Sequence, residues 1–94
     1  MYKIHYSSTY RKSFKRISKS GKFDKNNREL LENVIKKLQK GEKLDAKHKD
    51  HELTGYMIGF RECHIQSDFL LIYKIYEDIL ILDLINLGSH SDLF

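Results

Sequence analysis

Hydrophobic residues along the chain follow two different periods, and each period predicts a different kind of element. Residues 1–6 alternate between apolar and polar positions, which predicts a short opening strand. The hydroxyl-rich residues 7–9 can then cap a helix, because apolar residues recur after them every three or four positions. The apolar stripe of this helix is Tyr10, Phe14 and Ile17. A second amphipathic helix is predicted from Asp24 to Lys40, and Gly41 ends it as a C-cap glycine.

The second half of the chain has strand periodicity. Three runs rich in β-branched and aromatic residues, at 59–65, 69–76 and 79–87, are separated by two-residue breaks at 66–67 and 77–78. This spacing predicts a meander of antiparallel strands. The 94 residues are therefore expected to form one α+β domain of order β-α-α-β-β-β, an antiparallel sheet with two N-terminal helices packed on one face.

Charge is divided unevenly between the two halves. Residues 1–50 carry 15 Lys or Arg and 6 Asp or Glu, a net charge of +9, whereas residues 51–94 carry 2 and 7, a net charge of −5. Such asymmetry indicates a polyanionic or acidic partner for the first half. A solvated helical surface without a partner is the alternative interpretation of the same lysines.

Several classes of protein are disfavoured by composition. No run approaches the roughly 18 apolar residues of a membrane span, and the first residues lack the apolar centre of a signal peptide. The single cysteine, Cys63, cannot form an intrachain disulfide and is expected to face the core. The sequence therefore predicts a soluble cytoplasmic protein.

Three histidines stand beside carboxylates in the acidic half. His51 lies in KDHELTG, His64 in CHIQSD and His90 in GSHSDLF. With hairpin turns at the two breaks, Asp68 lies at the same end of the sheet as His64. The same count puts Asp68 opposite Leu87, shortly before the chain leaves the sheet and reaches His90. We therefore expect His64, Asp68 and His90 to lie together at one edge of the sheet, with His51 within reach.

Two or three imidazoles and a carboxylate suit proton transfer at neutral pH. RNA cleavage by its own 2′-hydroxyl needs a base on the 2′-oxygen and an acid on the leaving 5′-oxygen. A carboxylate such as Asp68 can orient a histidine and stabilise its protonated form. Structural histidines and a metal site are the alternatives, but no HExxH-type spacing is present, so no metal or other cofactor is expected. His5 and His48 are expected to be structural or surface residues.

The quoted blocks also resemble a known family. KDHELTG, FRECHIQSDFLLIYKI and LGSHSDLF are similar, in order and spacing, to the signature of the YafQ branch of the RelE/ParE toxin superfamily, and they cover nearly all of residues 47–94. The resemblance implies a RelE-like fold and a toxin of a type II toxin–antitoxin pair. Such toxins are ribosome-dependent endoribonucleases that cut mRNA in the ribosomal A site.

The resemblance also implies partners and site residues. The partners are a cognate antitoxin with an acidic C-terminal segment, the 70S ribosome with its mRNA, and operator DNA only through the antitoxin complex; no membrane is implied. We expect His90 to be the general acid, His51 or His64 the general base, and Asp68 their electrostatic partner. The residues expected to bind substrate are Lys49, Arg61, Phe69, Asn86 and Phe94.

One position departs from the family pattern. Asn86 stands where toxins of this type often carry an arginine that stabilises the phosphate, and an asparagine brings no charge. Arg61 or a lysine of the N-terminal half is expected to supply the charge, although alternation points Arg61 away from His64. Phe69 is expected to stack on a base, and Phe94 to help position the RNA.

Two other functions use the same fold. A ParE-like toxin binds and poisons a protein target such as gyrase, but it lacks the histidine set. A catalytically weak relative would act as a DNA-binding corepressor with its antitoxin, and Asn86 keeps this interpretation open.

Overall fold

A computed structural model describes residues 1–21 and 23–94. Its elements are β1 (Lys3–Tyr6), α1 (Ser8–Ser18), α2 (Lys25–Gln39), β2 (His51–Glu52), β3 (Arg61–Gln66), β4 (Phe69–Tyr76), β5 (Ile81–Gly88) and α3 (His90–Leu93), with 3-10 turns at Ala46–His48 and Gly55–Met57. The five strands form one sheet in the order β1-β5-β4-β3-β2. The predicted α+β fold is confirmed, and β3, β4 and β5 form the predicted meander. The prediction of an all-antiparallel sheet is wrong at β1, which pairs in parallel with β5. A parallel pairing is possible because β1 is followed by helices and not by a hairpin turn.

Both long helices begin where the sequence predicted. The Ser7 hydroxyl accepts a hydrogen bond from the Tyr10 N–H at 3.0 Å, and the Asp24 carboxylate accepts one from the Asn27 N–H at 2.8 Å. These side chains satisfy amide groups that have no partner inside the helix. Gly41 follows α2 with a positive φ of 76°, which confirms its predicted place after the helix end.

The core lies between α1, α2 and one face of the sheet. Its buried members are Tyr10, Phe23, Leu31, Val34, Leu38, Cys63, Ile65, Leu71, Tyr73, Leu82, Leu84 and Leu87. Cys63 is completely buried, as predicted, and burial raises the pKa of its thiol, so it stays protonated. Among the described residues, no helix is long and apolar enough to cross a membrane.

The first hairpin turn differs from the prediction by one residue. Gln66 pairs with Phe69, so the turn consists of residues 67–68 and not 66–67. Ser67 adopts a φ of 48°, a left-handed conformation that the usual Gly or Asn would have signalled. Asp68 therefore sits in the turn itself and not in a strand.

The second hairpin turn is longer than predicted. Tyr76 pairs with Ile81, so residues 77–80 form the turn in place of 77–78. The pairing then shifts between residues 72 and 73 of β4, so that β5 contains one extra residue there. As a result Leu71, and not Asp68, lies opposite Leu87.

Candidate active site

The face of the sheet that points away from the core carries two predicted site residues, His51 and His64, and a third residue, Glu62, that the sequence analysis missed. Glu62 and His64 alternate along β3 with the buried Cys63, so they share the opposite face. In β4 their neighbours are Ile72 and Leu70, which are buried but lie outside the cluster beneath the helices. This face therefore has a buried layer of its own beside the imidazole of His64.

Glu62 lies between two imidazoles. One of its carboxylate oxygens, Oε1, is 3.6 Å from Nε2 of His64 and 4.0 Å from Nε2 of His51. The Glu62 residue is only 5% exposed. Among the residues that the structure describes, these two imidazoles are its ion-pair partners within 4.0 Å. A buried carboxylate requires a positive charge or hydrogen bonds nearby, and the two imidazoles are placed to supply them. The signal in the sequence was the two-residue spacing of Glu62 and His64.

The orientation of His51 is fixed by its own segment. Its Nδ1–H donates a hydrogen bond to the Lys49 carbonyl at 2.7 Å, which leaves Nε2 facing Glu62. Lys49 ends the 3-10 turn with a φ of 47°. Lys49 thus contributes its carbonyl to the site, while the residue itself is exposed.

The backbone of His64 is supported from the loop before β2. Nδ1–H of His48 donates to the His64 carbonyl at 2.6 Å, and His48 is 6% exposed. The prediction that His48 is structural is confirmed. His5 pairs instead with Asp83 at 2.8 Å, on β1 and β5.

Asp68 contacts His90, but not in the predicted way. Its carboxylate accepts a hydrogen bond of 2.8 Å from the backbone N–H of His90, whereas the sequence predicted that it would orient an imidazole. The reason is the shifted turn, which presents the carboxylate to the first residue of α3. Asp68 thus acts as an additional cap on a helix of four residues.

A capping box completes the start of α3. Ser89 Oγ accepts from the Asp92 N–H at 3.2 Å, and Asp92 Oδ2 accepts from the Ser89 N–H at 3.0 Å. Hydrogen bonds from Ser89 to the Asp92 carboxylate, led by the one from the Ser89 backbone N–H, hold the pKa of Asp92 below its usual range, and Arg16 of α1 adds to this from 3.7 Å. The helix that presents His90 is therefore fastened to both the β3–β4 turn and α1.

The Phe94 ring packs beside the imidazole of His90. The two ring centroids are 5.1 Å apart, and Phe94 is 48% exposed. An exposed aromatic face beside an imidazole is available for stacking on a base.

The two groups of site residues lie at the same end of the sheet. His64, Leu70 and Gly88 stand opposite one another in three adjacent strands. Since neighbouring strands are about 4.8 Å apart, the backbones of His64 and Gly88 are about 10 Å apart, and His90 follows two residues later. The structure thus brings His51 and His64 together around Glu62, and Asp68, His90 and Phe94 together at α3.

Three predicted substrate-binding residues lie elsewhere. Phe69 alternates with Leu70 and points toward the helices. Its ring centroid lies 5.6 Å from that of Phe23. Phe69 also lines a cleft of about 610 Å³, and none of the histidines is among the lining residues of this cleft. Asn86 accepts hydrogen bonds from the hydroxyl of Ser13 at 2.6 Å and from its neighbouring backbone N–H at 2.8 Å. Arg61 points away from His64, as alternation predicted, and forms ion pairs at 3.3 and 3.7 Å with the carboxylates that flank His51.

The fold and this site together define a class of protein. A small α+β domain that exposes a basic helical face, with imidazoles grouped on the other face of its sheet, has the architecture of a RelE-like toxin. Residues 2–94 match the family described as bacterial toxin of type II toxin–antitoxin system, YafQ, and the chain belongs to this family.

Individual relatives agree with this membership. The mRNA interferase toxin YafQ of Escherichia coli K12 is 34% identical over 91 residues, which cover 97% of this chain and 94% of that protein. A metal-bound toxin crystal structure from Helicobacter pylori is 40% identical with a TM-score of 0.89, and both chains are covered completely. YafQ in the Escherichia coli DinJ–YafQ toxin–antitoxin complex is 34% identical with a TM-score of 0.82, covering 99% of this chain and 97% of that one. Within the described part of the present chain, no group of three or more His, Cys, Asp or Glu side chains is placed to hold a metal ion.

Proposed function

We propose that this protein is an endoribonuclease toxin that cleaves mRNA on the ribosome and thereby inhibits translation. Its family and the name of its Escherichia coli relatives, mRNA interferase toxin, support an RNA substrate. The observation that carries the proposal is the pair of imidazoles of His51 and His64 on the buried carboxylate of Glu62, with a third imidazole on α3.

The reaction requires only proton transfers by groups of this chain. The base, His51 or His64, removes the proton of the 2′-hydroxyl, and the 2′-oxygen attacks the adjacent phosphorus. The bond from phosphorus to the 5′-oxygen breaks, and the acid, His90, gives its proton to that oxygen. The products are a 2′,3′-cyclic phosphate and a free 5′-hydroxyl.

The carboxylates support this division of roles. Whichever of His51 and His64 takes the proton becomes an imidazolium within 4.0 Å of Glu62, which stabilises it. The Asp68 carboxylate accepts its hydrogen bond from the backbone N–H of His90, so it holds the helix end that presents the His90 imidazole.

The basic half of the chain provides the electrostatic attraction. Exposed cations on α1 and α2 suit the backbone of mRNA and ribosomal RNA, an attraction that depends on salt and not on sequence. Because Arg61 is already paired and Asn86 carries no charge, charge at the phosphate comes from lysines and arginines of this half. Lys49, exposed beside His51, is one of them.

The same basic face suits an antitoxin. YafQ of Escherichia coli is crystallised with DinJ in a toxin–antitoxin complex, so we infer that this chain also has a cognate antitoxin. An acidic segment of that partner would meet the positive surface of α1 and α2. Binding to operator DNA would occur only through the antitoxin.

Induction in a bacterial host tests the proposal directly. The wild type, His90→Ala and His64→Ala are expressed at equal levels, and mRNA 5′ ends are mapped. His5→Ala is the matched control, since His5 is exposed and pairs with Asp83 on the other pair of strands. We expect growth arrest and new in-frame 5′ ends with the wild type and the control, and neither with the two site variants. Arrest that persists in the site variants without new ends would point to a protein target.

Purified components test ribosome dependence. The toxin is mixed with one labelled mRNA, either free or bound to 70S ribosomes with a defined codon in the A site. We expect cleavage at the A-site codon only in the ribosome sample. Equal cleavage of the free mRNA would refute the ribosome-dependent part of the proposal.

A further inference from the structure

The two carboxylates on either side of His51 are connected by a single guanidinium. Nε of Arg61 lies 3.3 Å from Asp50, and a second guanidinium nitrogen of Arg61 lies 3.7 Å from Glu52. Asp50 and Glu52 are the residues immediately before and after His51. Arg61 therefore bridges the backbone positions that determine where the His51 imidazole stands.

The same carboxylate of Asp50 is bonded to the core. The hydroxyl of Tyr73 donates to Asp50 Oδ1 at 2.6 Å, and Tyr73 is 1% exposed in β4, the central strand of the sheet. A short hydrogen bond to an ionised acceptor is among the stronger ones in proteins. The Tyr73, Asp50 and Arg61 side chains thus form a continuous link, here called the anchor, from the rigid centre of the sheet to its edge.

Two members of the anchor, Tyr73 and Arg61, remain protonated near neutral pH. Burial, and then the bond to Asp50, raise the pKa of Tyr73, so its hydroxyl remains a donor. Burial lowers the pKa of Arg61, but its interactions with Tyr73 and Asp50 outweigh that effect, and the net shift is upward. Tyr73 and Arg61 therefore both remain donors to Asp50 near neutral pH.

His51 needs such a link because its strand is short. β2 contains only two residues at the edge of the sheet, where His51 pairs with Glu62 and Glu52 pairs with Arg61. Edge segments of this length open easily, since few backbone bonds hold them. We propose that the anchor positions the imidazole of His51 against Glu62. This inference rests on the proposed function, and it replaces the predicted contact between Arg61 and RNA with a positioning role.

The variant Tyr73→Phe tests the inference with the smallest change. It removes the hydroxyl and keeps the ring in the core. Tyr76→Phe removes a phenol hydroxyl from the same strand, away from Asp50, and is the matched control. Asp50→Asn is the second variant, half-buried outside the core cluster, in case Tyr73→Phe does not fold.

Three measurements separate positioning from general destabilisation. The first is the imidazole ¹⁵N–¹H spectrum of His51, which reports its Nδ1–H tautomer; the second is thermal stability; the third is cleavage on programmed ribosomes. We expect Tyr73→Phe and Asp50→Asn to alter the His51 signals, leave those of His5 unchanged, and lower cleavage about ten- to a hundredfold. Tyr76→Phe should change none of them.

A double variant makes the test specific. In a His51→Ala background, Tyr73→Phe should cause no further loss of cleavage, because its effect acts through the imidazole that is already absent. Unchanged His51 signals, or the same loss of cleavage in both backgrounds, would overturn the anchor. If His51→Ala alone cleaves normally, His51 is not the base and that role falls to His64, while the spectrum still decides whether the anchor positions the ring.

Discussion

Replacing Asp68 distinguishes two ways in which this carboxylate can serve the site. The sequence predicted an electrostatic partner for an imidazole, whereas the structure shows a hydrogen bond of 2.8 Å to the backbone N–H of His90. Asp68→Asn keeps an oxygen acceptor and removes the charge. Asp68→Ala removes both.

The size of the effect follows from the kind of hydrogen bond. A bond to a charged acceptor contributes about 1.5–3 kcal/mol and a bond to a neutral one about 0.5–1.5 kcal/mol. Because Asp68 is exposed, we take the lower end for both. Asp68→Ala should then cost about 1.5 kcal/mol, or about tenfold in the ratio of docked to undocked α3. Asp68→Asn should cost about 1 kcal/mol, or about fivefold.

Hydrogen exchange measures this ratio directly. The amides of Leu93 and Phe94 donate to the carbonyls of Ser89 and His90 at 3.1 and 3.0 Å, so they exchange when α3 opens. We expect their exchange to accelerate about tenfold in Asp68→Ala and about fivefold in Asp68→Asn, with cleavage ranked in the same order. If both variants lose cleavage equally while exchange is unchanged, the charge of Asp68 acts on the reaction and our reasoning from the backbone bond is wrong.

Three further changes have distinct expected outcomes. His48→Ala removes the donor to the His64 carbonyl, so the free energy of unfolding in urea should fall by about 2 kcal/mol. The pKa of Asp92 is held low by Ser89. The contribution of the Asp92 carboxylate to the stability of α3 is therefore present above the ordinary carboxyl pKa of about 4 and is lost as the pH falls through the lower folded-state pKa. The amides of α3 should lose protection only below about pH 4. Phe94→Leu keeps an apolar side chain but removes stacking, so cleavage should fall about fivefold or more at unchanged melting temperature.

Each of these three predictions has its own control or contradicting result. His5→Ala removes an exposed imidazole and should change stability by no more than about 1 kcal/mol, so an equal loss from His48→Ala would contradict the buried hydrogen bond. Asp92→Asn should reduce the acid dependence of α3 exchange, leaving only the part that Asp68 contributes. A fall in melting temperature with Phe94→Leu would show that the ring serves packing in place of RNA binding.

The sequence was sufficient for β1, the two long helices and the β3–β5 meander, but not for the short elements β2 and α3 or for the turns. β4 has the predicted bounds, 69–76, because its residues are apolar or aromatic almost without interruption. The hairpin turns place non-glycine residues at positive φ, Ser67 at 48° and Leu80 at 54°, so the usual Gly or Asn signal was absent. An extra residue in β5 then changed which residues face one another, and no periodicity reveals a bulge before the pairing is known.

The site was predictable as far as it depends on strand alternation. Alternation placed Cys63 in the core and Arg61 on the face away from His64, whereas the grouping of His51 with His64 needed the pairing of β2 with β3, which the sequence did not show. The contact of Asp68 with a backbone amide was not predictable, because α3 has four residues and helical periodicity needs more. Glu62 was hidden for another reason, since only the paired register shows that it lies between two imidazoles.

The parallel pairing of β1 with β5 has a consequence for how the active toxin forms. Lys3 lies opposite Ile81, so this pairing closes a loop of nearly the whole chain, and such contacts are slow to form. The β3–β4 hairpin with its Glu62–His64 pair joins residues close in sequence and can form early. His90 follows β5, which is secured only when both of its neighbours are in place. We therefore expect a refolding chain to gain secondary structure first and nuclease activity last, so that a partly folded toxin is a harmless one.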